Sequence, residues 1–240
     1  SIFLAKWAIK PVARAWQQQK QFVADASHEL KTPLTVIMTN ADLLQNTDFT
    51  DSERYNFLQS IYLMSGQMKQ LVEKLLILAK SDNQETSVPM ETLNLSKLVL
   101  DAAISFEGVF AENGLVLESF AESDIKVHGN KEGLQQVIDI LLDNAGKYST
   151  PNSTTHIELK NIDWKKCCIK VSNPGLPIPQ EDLKNIFQRF YRTDKARSRD
   201  GSFGLGLSIA ENIVHLHKGK IWAESQNSIN SFFVELRKDI

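Results

Sequence analysis

The stretch Phe22-Val-Ala-Asp-Ala-Ser-His28-Glu29-Leu30-Lys-Thr32-Pro33-Leu34 sets a histidine beside a carboxylate, a threonine one turn on, and then a proline. Around it, apolar or small residues fall at Val12, Trp16, Val23, Ala26, Leu30, Ile37, Ala41 and Leu44. Their spacings are threes, fours or sums of these, which predicts a helix from Val12 to about Gln45. With Val23, Ala26 and Leu30 on the packed side, His28 lies about 200° around from Ala26 and faces solvent, with Glu29 beside it. Thr32 follows one turn later on the same face. Pro33 removes a helical donor and crowds the carbonyl four residues back, so a bend is expected just after the histidine.

Turn chemistry follows at Asn46-Thr-Asp48, and Thr50 precedes Glu53 by three residues, a capping box that opens a second helix. That helix carries Phe57, Ile61, Met64, Met68, Leu71, Leu75 and Leu78, alternating four and three without a miss. Seven matches in a row mark a seam of the coiled-coil type. Two such helices bury little apolar area by themselves, so a homodimer closing a four-helix bundle is expected. The alternative is that the hairpin packs on the rest of the chain.

At 240 residues the chain has room for two units. A charged fraction of 23% and a hydrophobic fraction of 42% are those of an ordinary soluble globular protein. A net charge of −2 offers no field for nucleic acid, so no nucleic-acid partner is expected. The two cysteines, Cys167 and Cys168, are neighbours on a strand pattern and point apart; they suit a reducing compartment rather than a disulfide framework. No apolar run approaches the roughly 18–20 residues of a membrane helix. The opening Ser1-Ile-Phe-Leu-Ala-Lys6-Trp7-Ala-Ile-Lys10-Pro11, with Arg14, nonetheless suits the cytoplasmic flank of a transmembrane segment lying beyond the sequence. It equally suits the start of an amphipathic helix.

The polar run Ser81-Asp-Asn-Gln-Glu-Thr-Ser87 and Pro89 read as a linker. Four segments result: 1–17, a membrane-proximal signalling helix; 18–82, the helical hairpin; 83–92, the linker; and 93–240, a second unit. In the latter, Asn94 or Ser96 caps a helix towards Ala111, which Asn113-Gly114 stops. Strands are expected at Leu115–Phe120, Ile125–His128, Ile157–Ile162, Cys167–Ser172, Ile221–Ser225 and Ser231–Arg237. Helices are expected from Asn130 through Asn144, from Pro179, and over Leu207–His217. Helices interspersed with strands give an α+β chain whose second unit is an α/β sandwich, one helical layer on one sheet.

Four clusters in this unit carry chemistry. In Leu141-Leu-Asp143-Asn144-Ala145-Gly146-Lys147-Tyr148, Asn144 offers a hard oxygen suited to magnesium, Lys147 a cation for phosphate, and Tyr148 an aromatic surface for a base. Gly146 costs about 1 kcal/mol of helix propensity, which points to a close backbone approach or a local break. The second cluster is the glycine- and proline-punctuated Val171-Ser-Asn173-Pro174-Gly175-Leu176-Pro177-Ile178-Pro179. The third, Ile186-Phe187-Gln-Arg189-Phe190-Tyr191-Arg192, joins an aromatic clasp to an arginine. In the fourth, Asp200-Gly201-Ser-Phe203-Gly204-Leu205-Gly206-Leu207, glycines let backbone N–H groups close on phosphate before a helix N-terminus. The basic run Asp194-Lys195-Ala-Arg197-Ser-Arg199 lies between the last two. His128, His156, His215 and His217 have no metal-ligand spacing.

Ser27-His28-Glu29-Leu30-Lys31-Thr32-Pro33-Leu34 resembles, nearly residue for residue, the phosphoacceptor box of the two-component sensor histidine kinases, and the four clusters follow in that family's order. The resemblance covers the chain from about Val12 to the end. It implies a dimerisation and phosphotransfer hairpin followed by a catalytic domain of the gyrase, chaperone and histidine-kinase type. It implies that His28 takes the γ-phosphoryl of ATP and passes it to an aspartate in a response-regulator receiver domain. Glu29 would be the acid/base partner, and Thr32 would orient water in regulator dephosphorylation. Asn144 would hold magnesium, and ATP would be bound by Asn144, Lys147, Tyr148, Asn173, Gly175, Arg192, Gly204, Leu205, Gly206 and Leu207, with residues 194–200 as a mobile lid. The chain would then be the cytoplasmic portion of a cell-membrane protein. Three positions depart from the family pattern: Ile140, often asparagine; Gly146, often larger and apolar; and Asn173, normally the aspartate that accepts from the adenine amine. A neutral acceptor in place of a charged one implies adenine binding about tenfold weaker. The rival readings are a degenerate kinase serving as a nucleotide-binding or regulator-docking scaffold, and an ATPase of the wider superfamily.

Overall fold

The structure, a computed structural model, describes residues 2–46, 48–82, 89–193 and 202–239, without the side chains of 2–15, 18 and 80–82. The basic run 194–200, Gly201, most of the linker stretch and the side chains of Lys6, Trp7, Lys10 and Arg14 therefore lie outside the described residues. The chain divides into two compact units, Ser1–Ile77 and Leu78–Ile240.

The first unit is a hairpin of α1 (Ile2–Leu44) and α2 (Asp51–Asp82) as far as Ile77; the end of α2, from Leu78, falls in the second unit. The capping box forms as the sequence predicts. Glu53 accepts from the Thr50 backbone N–H at 2.8 Å, and the Glu53 N–H donates to Thr50 Oγ1 at 3.3 Å. Bonds from Thr50 hold the Glu53 carboxyl below its usual range. Phe49 meets Phe57 edge-on at 5.0 Å and closes the turn over α2. Across the hairpin, Asn40 Nδ2 donates to Ser60 Oγ at 3.2 Å. Within this unit the four-three seam of α2 turns inward: Leu71 is fully buried, and Phe57, Ile61, Met64, Met68 and Leu75 are half-buried. Leu78, the seventh member, is buried as well.

On α1 the inward face differs from the expected one. Val23 is 55% exposed, and Trp16 and Ala41 are also exposed, while Ala26, Leu30 and Ile37 are half-buried and Pro33 is buried. The seam thus steps Ala26, Leu30, Pro33, Ile37, a four-three-four spacing in which proline itself fills a core position. The helix runs through Pro33 as one element. The missing N–H costs the Glu29 carbonyl its helical donor, but the ring is accommodated by packing rather than by an end to the helix.

In the second unit, β1 (Glu91–Asn94), α3 (Leu95–Glu112), β2 (Val116–Ala121), β3 (Lys126–Gly129), α4 (Lys131–Tyr148), β4 (Thr154–Asn161), β5 (Lys166–Pro174), α5 (Gly206–Leu216), β6 (Lys220–Gln226) and β7 (Ile229–Arg237) follow in order. A five-stranded sheet runs β2-β4-β5-β7-β6, with β2 parallel to β4 and the other pairs antiparallel. Its helix-facing side is apolar by strict alternation (Ile157, Leu159; Cys167, Ile169, Val171; Phe232, Val234, Leu236), and α3, α4 and α5 form one layer over it. The expected α/β sandwich is present.

Asn94 caps α3 by accepting from the Lys97 N–H at 2.9 Å, and Asn130 caps α4 by accepting from Gly133 at 2.7 Å. Ser96 is not the cap. Its hydroxyl is buried between the Glu122 carbonyl and the Ile125 N–H. β1, whose first two residues fall in the stretch expected as linker, pairs with β3, Glu91 opposite Gly129. From Pro179 the chain makes successive turns instead of the expected helix: Leu183 and Ile186 bond four residues back, but Asp182, Asn185 and Gln188 bond three back.

Candidate functional site

On α1, His28 and Thr32 are exposed and Glu29 is half-buried. Ser27 Oγ donates to the Val23 carbonyl at 2.7 Å and Thr35 Oγ1 to Lys31 at 2.9 Å, so the flanking hydroxyls are turned back onto the helix. An imidazole on a solvent-facing helical surface, adjacent to a carboxylate, has a free path for an incoming electrophile.

In the second unit, three close approaches gather the four clusters. Gly175 follows β5 directly, and a Cβ there would stand 2.5 Å from the Tyr148 carbonyl oxygen. Only glycine lets the end of β5 meet the end of α4 in this way. Their union is sealed by Thr150 N–H donating to Pro174 at 2.8 Å and by a bridge between Ser149 and Gly175. Gly204 has φ +68°, and a Cβ there would lie 2.7 Å from the Tyr191 carbonyl and 3.1 Å from Arg192 Cγ. The third cluster therefore lies against the fourth. Gly206 opens α5 with its Cβ position 3.4 Å from Ile140, which brings that helix start onto α4.

Asn144 is half-buried on α4, and Tyr148 ends the same helix. The Tyr148 hydroxyl lies 3.4 Å from Ser202 Oγ, just ahead of Gly204. Lys147 is exposed and reaches back one turn to Asp143 at 2.6 Å. An ion pair this exposed is easily exchanged for a better anion. Asn173 is 2% exposed, its Nδ2 3.4 Å from the Pro174 carbonyl. Arg192 and Leu207 are half-buried and Leu205 is buried, the last as N-cap of α5. Gly146 needs neither of its expected explanations. α4 continues through it, and a Cβ would meet only Phe110 at 3.5 Å, an ordinary contact.

Two residues not singled out in the sequence join this group. Asn230 on β7 is buried and pairs across the sheet with Asn173, and Ser225 on β6 pairs with Asn230. Asn230 is marked by being a buried polar side chain on a strand, and the half-buried Ser225 by its pairing with it.

A magnesium ion accompanying a nucleotide would be held here by Asn144 together with phosphate and water. Asn144 supplies a neutral oxygen, and among the described residues no group of three or more His, Cys, Asp or Glu side chains gathers into a protein cage. Magnesium commonly takes one or two protein oxygens and completes its shell with phosphate and water.

Residues 18–84 match the His Kinase A (phospho-acceptor) domain, and residues 129–239 match the Histidine kinase-, DNA gyrase B-, and HSP90-like ATPase. The chain belongs to the sensor histidine kinases. It is 34% identical to the sensor protein DltS of Streptococcus agalactiae over 239 residues, all of this chain and 59% of DltS. The chain thus spans about six-tenths of that relative's length. The catalytic domain of the histidine kinase ThkA, in a nucleotide-free form, is 28% identical with a TM-score of 0.56, covering 62% of this chain and 97% of that one. ThkA in complex with the response regulator protein TrrA superposes with a TM-score of 0.78 at 22% identity, over 100% of this chain and 67% of that one; that likeness is one of fold. Among the described residues, no helix of this histidine kinase is long and apolar enough to cross a membrane.

Proposed function

We propose that this chain binds ATP with magnesium in its second unit, transfers the γ-phosphoryl group to a ring nitrogen of His28, and passes it on to an aspartate of a response-regulator receiver domain. The observation that carries this is the pairing of an exposed His28, with Glu29 beside it, on a helical hairpin with a second unit whose glycines draw the four clusters together. The ring nitrogen's lone pair forms the new bond to phosphorus as the bond to the ADP oxygen breaks, with Glu29 managing the proton on the other ring nitrogen. Phosphoryl transfer asks mainly for positioning and neutralisation of charge, roles that Lys147 and Arg192 suit. Asn173, Gly175 and Tyr148 suit the base, and the turn Gly204-Leu205-Gly206-Leu207 suits the phosphates.

The working form is a homodimer. Leu58, Tyr62, Val72 and Leu76 continue a second four-three row on α2, all exposed, and Leu34 and Met38 are exposed on α1. A partner hairpin would cover these and close a four-helix bundle. The domain limits 18–82 and 93–240 are read the same way, as phosphotransfer and catalytic parts, within the cytoplasmic portion of a membrane sensor. Thr32, exposed one turn beyond His28, would orient water against a phosphorylated regulator, a role that rests on the family resemblance. Unchanged regulator dephosphorylation in Thr32→Ala would remove that role.

Incubation of the chain with magnesium and γ-labelled ATP separates the readings. Acid-labile label on the protein, chased by a receiver domain, is the expected result. Nucleotide binding with no label would make the chain a scaffold, and free phosphate with no protein label would make it an ATPase.

A further inference from the structure

The loop leaving β5 is held by a closed relay of hydrogen bonds from the β6–β7 hairpin. The Gly175 N–H donates to the Ser228 carbonyl at 2.8 Å. Asn230 Nδ2 donates to the Leu176 carbonyl at 3.0 Å. The Ile178 N–H donates to Ser225 Oγ at 3.0 Å, and that hydroxyl donates to Asn230 Oδ1 at 2.7 Å. The relay has a fixed direction. Because Ser225 receives a backbone proton, its own proton goes to Asn230, which turns the amide oxygen towards Ser225 and the amide nitrogen towards Leu176.

Neutral hydrogen-bonded pairs such as these add little net stability compared with apolar side chains of the same shape. What this relay adds is position. It fixes three points of backbone, at 175, 176 and 178, against the β6–β7 hairpin, whose Asn230 is the direct cross-strand partner of Asn173 on β5. A Cβ built on Gly175 would lie 3.2 Å from both Asn173 Nδ2 and Asn230 Nδ2, so the two amides flank the same glycine.

We propose that Ser225 and Asn230 are positioning residues for the purine end of the nucleotide site, holding the loop so that Asn173 and Gly175 meet the base. This rests on the nucleotide reading of Asn173 and Gly175. Neither Ser225 nor Asn230 touches the triphosphate end, where Lys147, Arg192 and the Gly204–Leu207 turn are placed.

The test uses the full chain and measures autophosphorylation against ATP concentration. In Ser225→Ala, two relay bonds are lost and KM for ATP rises about tenfold, while kcat at saturating ATP changes by less than about twofold. Inhibition by adenosine weakens in parallel, and inhibition by inorganic tripolyphosphate, which has no base, is unchanged. Ser225→Thr, which keeps the hydroxyl, restores KM. Asn230→Asp sets a carboxylate oxygen against the Leu176 carbonyl and raises KM further. An unmoved KM in Ser225→Ala, an equal loss of tripolyphosphate inhibition, or no rescue by Ser225→Thr would each overturn the proposal. Asn173→Ala separates the two levels of failure. If it raises KM while Ser225→Ala does not, the relay alone is wrong; if it leaves KM unmoved, the nucleotide reading fails and the relay's role with it.

Discussion

Replacing Gly175 by alanine probes the joint on which the nucleotide site depends. The new methyl carbon would be placed 2.5 Å from the Tyr148 carbonyl oxygen, with Asn173 Nδ2 and Asn230 Nδ2 each 3.2 Å away. A carbon-to-oxygen contact settles at roughly 3.3–3.6 Å, so the end of β5 and the end of α4 must part by about 1 Å. Neither side yields freely, because the obstacle is backbone. The parting acts on the Thr150-to-Pro174 and Gly175-to-Ser228 bonds, both 2.8 Å. At about 0.5–1.5 kcal/mol for each bond, the cost is about 1–3 kcal/mol, the range of overpacked interiors. Urea unfolding of the full chain measures it, with hydrogen exchange at β5 and β7 amides assigning the transition to the second unit. We expect a lower midpoint in that unit, no change in the exchange of α1 and α2, and ATP affinity reduced about tenfold or more. A Gly175→Ala protein as stable as the parent, with the parent's ATP affinity, would refute the reasoning that this glycine exists for a backbone approach.

Gly146→Ala should act in the opposite direction, stabilising the second unit by about 0.4–1 kcal/mol, because the methyl meets only Phe110 at an ordinary distance; a lowered urea midpoint would contradict this. Asn173→Asp should tighten ATP binding about tenfold in a nucleotide titration, since a charged acceptor replaces a neutral one; unchanged or weaker binding would show that this position does not read the adenine amine. His217 donates from Nδ1 to the Ile213 carbonyl at 2.7 Å and accepts the Asn130 N–H on Nε2 at 2.9 Å, an arrangement open only to the neutral ring, and burial pushes its pKa below the ordinary 6.5. The folded chain therefore binds fewer protons here than the unfolded chain, so this stability is full above about pH 6.5 and is lost as pH falls through the folded value. The urea midpoint should drop from about pH 7.5 to about pH 5.5 more steeply in the parent than in His217→Gln. The comparison cancels Asp139 and Glu211, whose carboxyl values burial raises and which act in the opposite sense; equal slopes would remove the histidine from this role.

What was legible in the sequence follows from how local each cause is. The Thr50–Glu53 box, the Asn94 and Asn130 caps and the turn at Gly114 are settled within a few residues, and they stand where the pattern puts them. The α2 seam was legible because seven matches fix a helical face. The α1 face was misjudged around Val23, since aliphatic character does not by itself mean burial, and the place of Pro33 as a packed member of the seam was not foreseen. β1 has four residues and no period to detect; only its pairing with β3, some 35 residues on, makes it a strand. Of the site, the residues named by cluster were legible, while Ser225 and Asn230 depend on the register of β6, β7 and β5, which no local pattern encodes. Gly146 shows the converse: its propensity cost was visible, but the room around it was not.

The most direct test compares the parent chain with His28→Gln, each given magnesium and γ-labelled ATP, with ATP affinity measured on both. We expect equal affinity, acid-labile label on the parent alone, and transfer of that label to a receiver domain; label retained on His28→Gln would place the phosphoryl group elsewhere and contradict the function proposed for this helix.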